Sequence, residues 1–100
     1  MKYRDKLKII ADILRVTGNG SRKTRIMYLA NLSHALLEKY LKKIINAGLI
    51  SSDDGGFYTV TEKGRVFLKK FNDFSVKDSR LRREFKKLSF EKEILENMCQ

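Results

Sequence analysis

Residues 18–50 read GNGSRKTRIMYLANLSHALLEKYLKKIINAGLI, and this stretch decides the fold. It opens with a Gly-Asn-Gly loop, and Ser21, which follows the loop, is a residue type that commonly caps the N-terminus of a helix. An apolar pattern of helical spacing comes next, so a helix is predicted over 22–29. Its inner face is predicted to consist of Ile26, Leu29 and Ala30.

A further helix is predicted after a short turn at 31–33. Ser33 is its predicted N-cap, the helix continues to Ala47, and Gly48 suits the left-handed conformation that often ends a helix. At 100° per residue the apolar side of this helix comprises Leu36, Leu37, Tyr40, Leu41, Ile44 and Ala47. The opposite side comprises Ala35, Glu38, Lys39, Lys42 and Asn46, with His34 and Lys43 on the flanks.

The flanking segments complete a known order of elements. Upstream, apolar residues at three- and four-residue steps predict a helix over 3–17, which Gly18 ends. Downstream, the runs LISS (49–52) and FYTV (57–60) enclose the turn DDGG (53–56), which is typical of a β-hairpin. We therefore predict a mainly α fold with a small β-hairpin, in which residues 1–64 form a winged helix-turn-helix domain.

From Thr61 onward the sequence predicts one long C-terminal helix with a seven-residue apolar repeat, which is typical of a coiled coil. A lone helix cannot bury such a repeat, so residues 65–100 are predicted to dimerise with a second copy of the chain. A continuous helix is favoured over a break at 75–79. The predicted interface, called the seam below, consists of Phe67, Phe71, Phe74, Leu81, Phe85, Leu88 and Leu95.

Composition limits the class of protein. One hundred residues suit one small domain with an appended element, and a net charge of +10 favours a polyanionic partner, most often nucleic acid. No apolar run approaches the roughly 20 residues that cross a bilayer, and no signal-peptide pattern is present, so a soluble, cytoplasmic protein is expected. With one Cys, one His and scattered acids, we expect no catalytic site, metal, cofactor or small-molecule ligand.

Positive charges cluster where a helix-turn-helix meets DNA. Arg22, Lys23 and Arg25 stand at a helix start, where cations oppose the helix dipole, so we interpret them as a clamp on one phosphate. On the next helix, which enters the major groove in this motif, Lys42 and Lys43 are predicted phosphate contacts. The predicted groove-facing residues are Ser33, His34, Ala35, Glu38 and Lys39. For each group the alternative is an ordinary solvated surface.

Several side chains admit two roles. His34 either contacts DNA or is merely a surface residue, and Glu38 either accepts from a cytosine amino group or pairs with Lys42 one turn on. Tyr40 is predicted to lie in the core, whereas the position of Tyr28 is left open. The tail cations are either solvated flanks of a coil or a surface that lies along DNA; they are Arg80, Arg82, Arg83, Lys86 and Lys87.

The string KTRIMYLANLS at 23–33, continued to Ile50 and joined by FYTVTEKG at 57–64, resembles the archaeal DNA-binding proteins of the Sulfolobus ten-kilodalton "a" type. The resemblance covers residues 5–64 well. It implies a winged helix, a homodimer held by an antiparallel coiled coil of the last helices, and largely sequence-tolerant binding of double-stranded DNA. It also implies an architectural role as a chromatin or nucleoid-associated protein.

The wing departs from that family pattern. Asp53 and Asp54 flank the predicted hairpin turn, where two carboxylates would repel phosphates, although Gly55 and Gly56 are predicted to offer backbone N–H groups. Two other functions stay open: a sequence-specific transcriptional repressor, and a protein-interaction module, which would need an exposed apolar patch on the third helix. RNA binding is less favoured because no exposed aromatic platform is evident.

Overall fold

The computed structural model describes residues 4–100, which form four helices and three short strands. In chain order these are α1 (Lys6–Thr17), β1 (Ser21–Arg22), α2 (Lys23–Leu29), α3 (His34–Asn46), β2 (Ile50–Ser52), β3 (Phe57–Val60) and α4 (Glu62–Met98). This order confirms the predicted mainly α fold, a winged helix-turn-helix followed by a long C-terminal helix.

The first helix begins later than predicted. Asp5 has an extended backbone, and its carboxylate accepts a hydrogen bond from the Lys8 N–H at 2.8 Å. Asp5 is therefore the N-cap and α1 starts at Lys6, because an N-cap residue stands outside the helix that it caps. The predicted start falls on Tyr3, which lies outside the described residues.

The predicted N-caps of α3 and α4 are confirmed, whereas α3 ends at Asn46, one residue before the predicted end. The Ser33 hydroxyl accepts from the Leu36 N–H at 3.2 Å, and the Thr61 hydroxyl accepts from the Gly64 N–H at 3.1 Å. Each bond satisfies one of the N–H groups that lack a partner in the first turn of a helix. Gly48, with φ of 79°, ends α3 in the left-handed region as expected.

Ser21 does not cap α2, contrary to the prediction. Its hydroxyl donates to the carbonyl oxygen of Thr17 at 3.0 Å and to that of Val16 at 3.2 Å, both in the last turn of α1. Ser21 itself is buried and extended in β1, where it pairs with Tyr58. Arg22 is the N-cap of α2 instead, and no side chain caps this helix.

The three strands form an antiparallel sheet in the order β1-β3-β2. The hairpin of β2 and β3 matches the prediction. Strand β1 was not predicted, because two residues are too few to display an alternating pattern of apolar and polar side chains. Pairing of β1 with β3 ties the start of α2 to the wing.

The core lies between α1, α2, α3 and the sheet. Its fully buried side chains include Ile13, Leu14, Ile26, Leu37, Ile44 and Ile50. Tyr40 is buried as predicted. Leu29 is 47% exposed, so its predicted place on the inner face of α2 is wrong, whereas Ile26 and Ala30 are buried there. The short α2 ends at Leu29, and Ala30 follows it into the core.

Helix α4 is continuous through 75–79, as favoured from the sequence. Its first turns pack on α1, where Phe67 and Leu68 are partly buried against the core and the Arg15 guanidinium donates to Asn72 Oδ1 at 2.8 Å. Beyond Asp78 every residue of the chain is exposed. The second half of α4 therefore extends into solvent as a rod.

Gly64 sets the junction of α4 with the domain. A Cβ atom at this position would lie 2.3 Å from the Leu49 carbonyl oxygen and 2.6 Å from Val60 Cγ1. The first of these neighbours is backbone, which cannot rotate away. Helix α4 thus approaches the sheet as closely as it does because residue 64 has no side chain.

Gly64→Ala is expected to destabilise the fold by about 1–3 kcal/mol through overpacking, although helix propensity alone would favour alanine by about 1 kcal/mol. Urea unfolding at fixed protein concentration measures the change. Gly55→Ala is the control, because its Cβ would meet nothing closer than Asp53 Oδ1 at 3.4 Å. Equal unfolding midpoints for the Gly64→Ala variant and the unsubstituted protein would contradict this account of the junction.

Candidate nucleic-acid interface

The turn between α2 and α3 is held from outside by Arg4. Its guanidinium donates to the carbonyl oxygens of Ala30 and Asn31, each at 2.8 Å, and also to the Asp12 carboxylate of α1 at 3.1 Å. Asn31 has a positive φ of 55°, which places it in the left-handed region. Arg4 thus fixes the angle at which α3 leaves the turn, a role that sequence analysis did not assign to it.

Helix α3 has a buried side and an exposed side, as its periodicity predicts. Of the predicted apolar stripe, Leu37, Tyr40, Leu41 and Ile44 are buried and Leu36 is partly buried, but Ala47 is exposed because the helix has ended there. The side chains of Lys39, Lys42 and Lys43 are exposed on the other side. Ser33, His34 and Ala35 are exposed at the start of the helix. The structure thus brings these predicted site residues together on one accessible face.

Glu38 lies on that face and is partly buried between Lys23 and His34. Its carboxylate accepts a hydrogen bond from the Lys23 ammonium of α2, and His34 Nε2 lies 3.6 Å from Glu38 Oε1. The ion pair that the structure shows for Glu38 is thus with Lys23 and not with Lys42, the partner considered from the sequence. Through it Lys23 joins α2 to α3.

The hydrogen bond between Lys23 and Glu38 lowers the pKa of the Glu38 carboxyl and raises the pKa of the Lys23 ammonium. Because the carboxyl pKa is lowered, the ion pair is fully formed at any pH above the ordinary carboxyl pKa. It is lost only as the pH falls through the lowered value. The link between α2 and α3 is therefore present throughout the neutral range.

Arg22 and Arg25 line a different part of the surface. They border a cleft of about 490 Å³, together with the 18–20 loop and Phe57 of the wing. The Arg22 guanidinium lies 4.5 Å from the centre of the Phe57 ring, a cation–π contact that holds Arg22 against the sheet. The three cations therefore do not converge as the predicted clamp, because Lys23 is turned toward α3.

The wing turn is closed on itself. Asp53 Oδ1 accepts from the N–H groups of Gly55 and Phe57, each at 2.9 Å, and the Gly56 N–H donates to the Asp53 carbonyl oxygen at 3.4 Å. The prediction that Gly55 and Gly56 offer free N–H groups is therefore wrong. Asp53 shapes the turn, and its negative charge stays at the wing tip.

The sequence profile of the winged helix-turn-helix family matches residues 3–79. The chain belongs to the winged helix-turn-helix family. The family resemblance expected from KTRIMYLANLS is also confirmed by a solved structure, that of Sso10a-2, a DNA-binding protein from Sulfolobus solfataricus. That structure matches with a TM-score of 0.78 and 27% sequence identity, over 86% of this chain and 94% of the other.

A curated relative extends the comparison beyond Sulfolobus. An uncharacterized protein of Methanocaldococcus jannaschii is 38% identical over 71 residues, which make up 70% of this chain and 33% of that protein. This winged helix-turn-helix protein thus spans about a third of the length of that relative. The shared segment is long enough to include a complete winged helix.

The seam continues from the winged helix into solvent. Phe67 and Phe71 stack with ring centres 6.3 Å apart and are partly buried near α1, where the Arg15 guanidinium lies 5.8 Å from the Phe71 ring. The remaining seam residues, Phe74, Leu81, Phe85, Leu88 and Leu95, are exposed. A single winged helix-turn-helix chain therefore leaves most of the seam in water.

Tyr28, whose position was left open from the sequence, lies on the surface of the winged helix. Tyr28, on α2, is 82% exposed, one turn after Arg25, which is also exposed. Its neighbours in sequence are apolar, so no pattern distinguished it from a core tyrosine.

Among residues 4–100, no helix is both long enough and apolar enough to span a membrane.

Proposed function

We propose that this winged helix-turn-helix protein binds double-stranded DNA as a homodimer, with little sequence preference and an architectural role on the nucleoid. The outer face of α3 is the observation that carries the proposal. Lys39, Lys42 and Lys43 stand there exposed, on the helix that enters the major groove in this motif. Ser33, His34 and Ala35 extend the same face at the helix start.

Electrostatics supports a polyanion as the partner. The chain carries a net charge of +10, and Arg22 and Arg25 add cations at the cleft between the 18–20 loop and the wing. Phosphate contacts from such side chains supply most of the sequence-independent affinity for DNA. The DNA-binding description of Sso10a-2, which shares the fold over most of both chains, points the same way.

Dimerisation through α4 is the second part of the proposal. The exposed seam residues share one side of the helix, and a second copy of α4 would bury them in a two-stranded coil. The family resemblance favours an antiparallel pair. Burial of each Leu or Phe side chain contributes about 1.5–3 kcal/mol, which is enough for several such residues to hold two chains together.

A titration of random and site-selected duplexes at several salt concentrations tests the proposal. Four phosphate contacts, from Arg22, Arg25, Lys42 and Lys43, predict a log–log salt slope of about −3.6 for each winged helix. An architectural protein binds all sequences within a few-fold, whereas a preference of about a thousand-fold would establish a repressor instead. A slope near zero would refute DNA binding by these cations and favour the protein-interaction module.

A further inference from the structure

The charges of α4 are segregated along its length. Residues 77–87 contain six Lys and Arg against Asp78 and Glu84, whereas residues 88–100 contain one Lys against three Glu. A helix whose surface charges serve only solubility ordinarily mixes both signs at four-residue spacing. The middle of α4 is therefore a separate basic segment within an otherwise mixed rod.

Three cations of this segment form a row on one side of the helix, which we call the tail stripe: Arg80, Arg83 and Lys87. They follow one another at three- and four-residue steps, so their bases span about 10 Å along the helix. Neighbouring like charges at this spacing destabilise a helix by about 0.2–0.5 kcal/mol per pair. The row is thus unfavourable for the helix itself.

Acidic side chains do not neutralise the tail stripe. Arg82, outside the stripe, donates to Asp78 Oδ2 at 2.8 Å. Within residues 4–100, no carboxylate lies within 4.0 Å of a stripe cation. Glu84 stands four residues after Arg80 and three before Lys87, and Glu91 stands four after Lys87, but none of these spacings is closed as an ion pair in the structure.

The tail stripe stays accessible whatever covers the rest of α4. At 100° per residue it lies about 130° round the helix from the seam positions Leu81, Phe85 and Leu88. It also faces away from the side of α4 that packs on α1, which carries Phe67 and Phe71. A second copy of the chain on the seam would therefore leave the stripe exposed.

We propose that the tail stripe is a second DNA-contacting surface, separate from the winged helix, which binds phosphates of double-stranded DNA. This inference rests on the proposed function, because the winged helix is what brings a duplex to the protein. A row of cations without carboxylate partners matches a repeating line of phosphates, and contacts of this kind carry no sequence information. The stripe therefore strengthens binding equally on all sequences.

The test compares four full-length proteins on a 40-base-pair random duplex between 50 and 200 mM salt. The neutral triple variant is R80Q/R83Q/K87Q, and its control R80K/R83K/K87R keeps all three charges at the same positions. Circular dichroism and sedimentation check that both remain helical and assembled, as expected since Gln, Lys and Arg all favour helices. The fourth protein, R25A/K42A, lacks cations of the winged helix.

Loss of three phosphate contacts makes the salt slope of the neutral variant less steep by about 2.7 per chain. For each chain that engages the duplex, the affinity ratio of unsubstituted protein to variant then falls about 40-fold between 50 and 200 mM salt. The charge-keeping control is expected to match the unsubstituted protein. An unchanged salt slope in the neutral variant, or an equal loss of affinity in the charge-keeping control, would overturn the proposal that the stripe contacts DNA. Undiminished binding by R25A/K42A would overturn the proposed winged-helix interface instead.

Discussion

Replacement of Arg25 and Lys42 by alanine is expected to weaken DNA binding on the order of 10- to 100-fold at 0.1 M salt. Both side chains are exposed and neither makes an ion pair or side-chain hydrogen bond within residues 4–100, so their loss removes charge without disturbing the fold. The salt slope is expected to become less steep by about 1.8 for each winged helix. Fluorescence anisotropy on random duplexes measures both quantities.

The control for this experiment removes the same charge elsewhere. Lys69 and Lys70 are exposed on α4, outside residues 77–87, so K69A/K70A is expected to leave the affinity within a few-fold of the unsubstituted protein. Because phosphate contacts carry no sequence information, R25A/K42A weakens binding to every duplex by a similar factor. Unchanged DNA affinity in R25A/K42A would instead favour a protein-interaction module.

Aspartate at Leu81 or Phe85 is expected to convert the proposed dimer into monomers. Both side chains lie at the centre of the seam, where a charge brought into an apolar contact costs several kcal/mol. Sedimentation at micromolar concentration is expected to show one chain for each variant. The helical signal should also fall, because every residue of α4 beyond Asp78 is exposed among residues 4–100 and isolated helices are marginal in water.

Phe90→Asp is the matched control for Phe85→Asp. Phe90 is 63% exposed and Phe85 is 70% exposed, but Phe90 lies about 140° round the helix from Phe85. The same change of chemistry off the seam is expected to leave the dimer intact. A dimer that survives both seam substitutions, or a Phe90→Asp variant that dissociates equally, would refute the coiled-coil interface.

Local patterns in the sequence predicted most of the fold. The caps at Ser33 and Thr61, the buried side of α3 and the unbroken α4 depend on residues near one another in the chain, which periodicity and capping rules address. Ser21 was assigned wrongly because its hydroxyl bonds back to α1 rather than forward to α2. A sequence rule for caps cannot distinguish these two directions.

The candidate site was less predictable, because its key contacts join distant residues. The pairing of Lys23 with Glu38 joins residues 15 apart on two helices, and Arg4 reaches Ala30 and Asn31 from before α1. Neither contact leaves a periodic signal. Exposure on α3 followed from helical spacing alone, which is why the predicted groove-facing residues lie together while the predicted clamp does not.

The tight seat of Gly64 has a mechanical consequence. Val60 ends β3 and Glu62 begins α4, so Thr61 is the whole connection, and its N–H donates to the Leu49 carbonyl oxygen at 3.1 Å. Because the connection is a single hydrogen-bonded residue, the winged-helix domain and α4, which is roughly 55 Å long, are expected to move as one rigid body. In the proposed dimer, the paired α4 helices would set a fixed distance between the two winged helices, and inserting or deleting one heptad would change that distance by about 10 Å while leaving both winged helices unaltered.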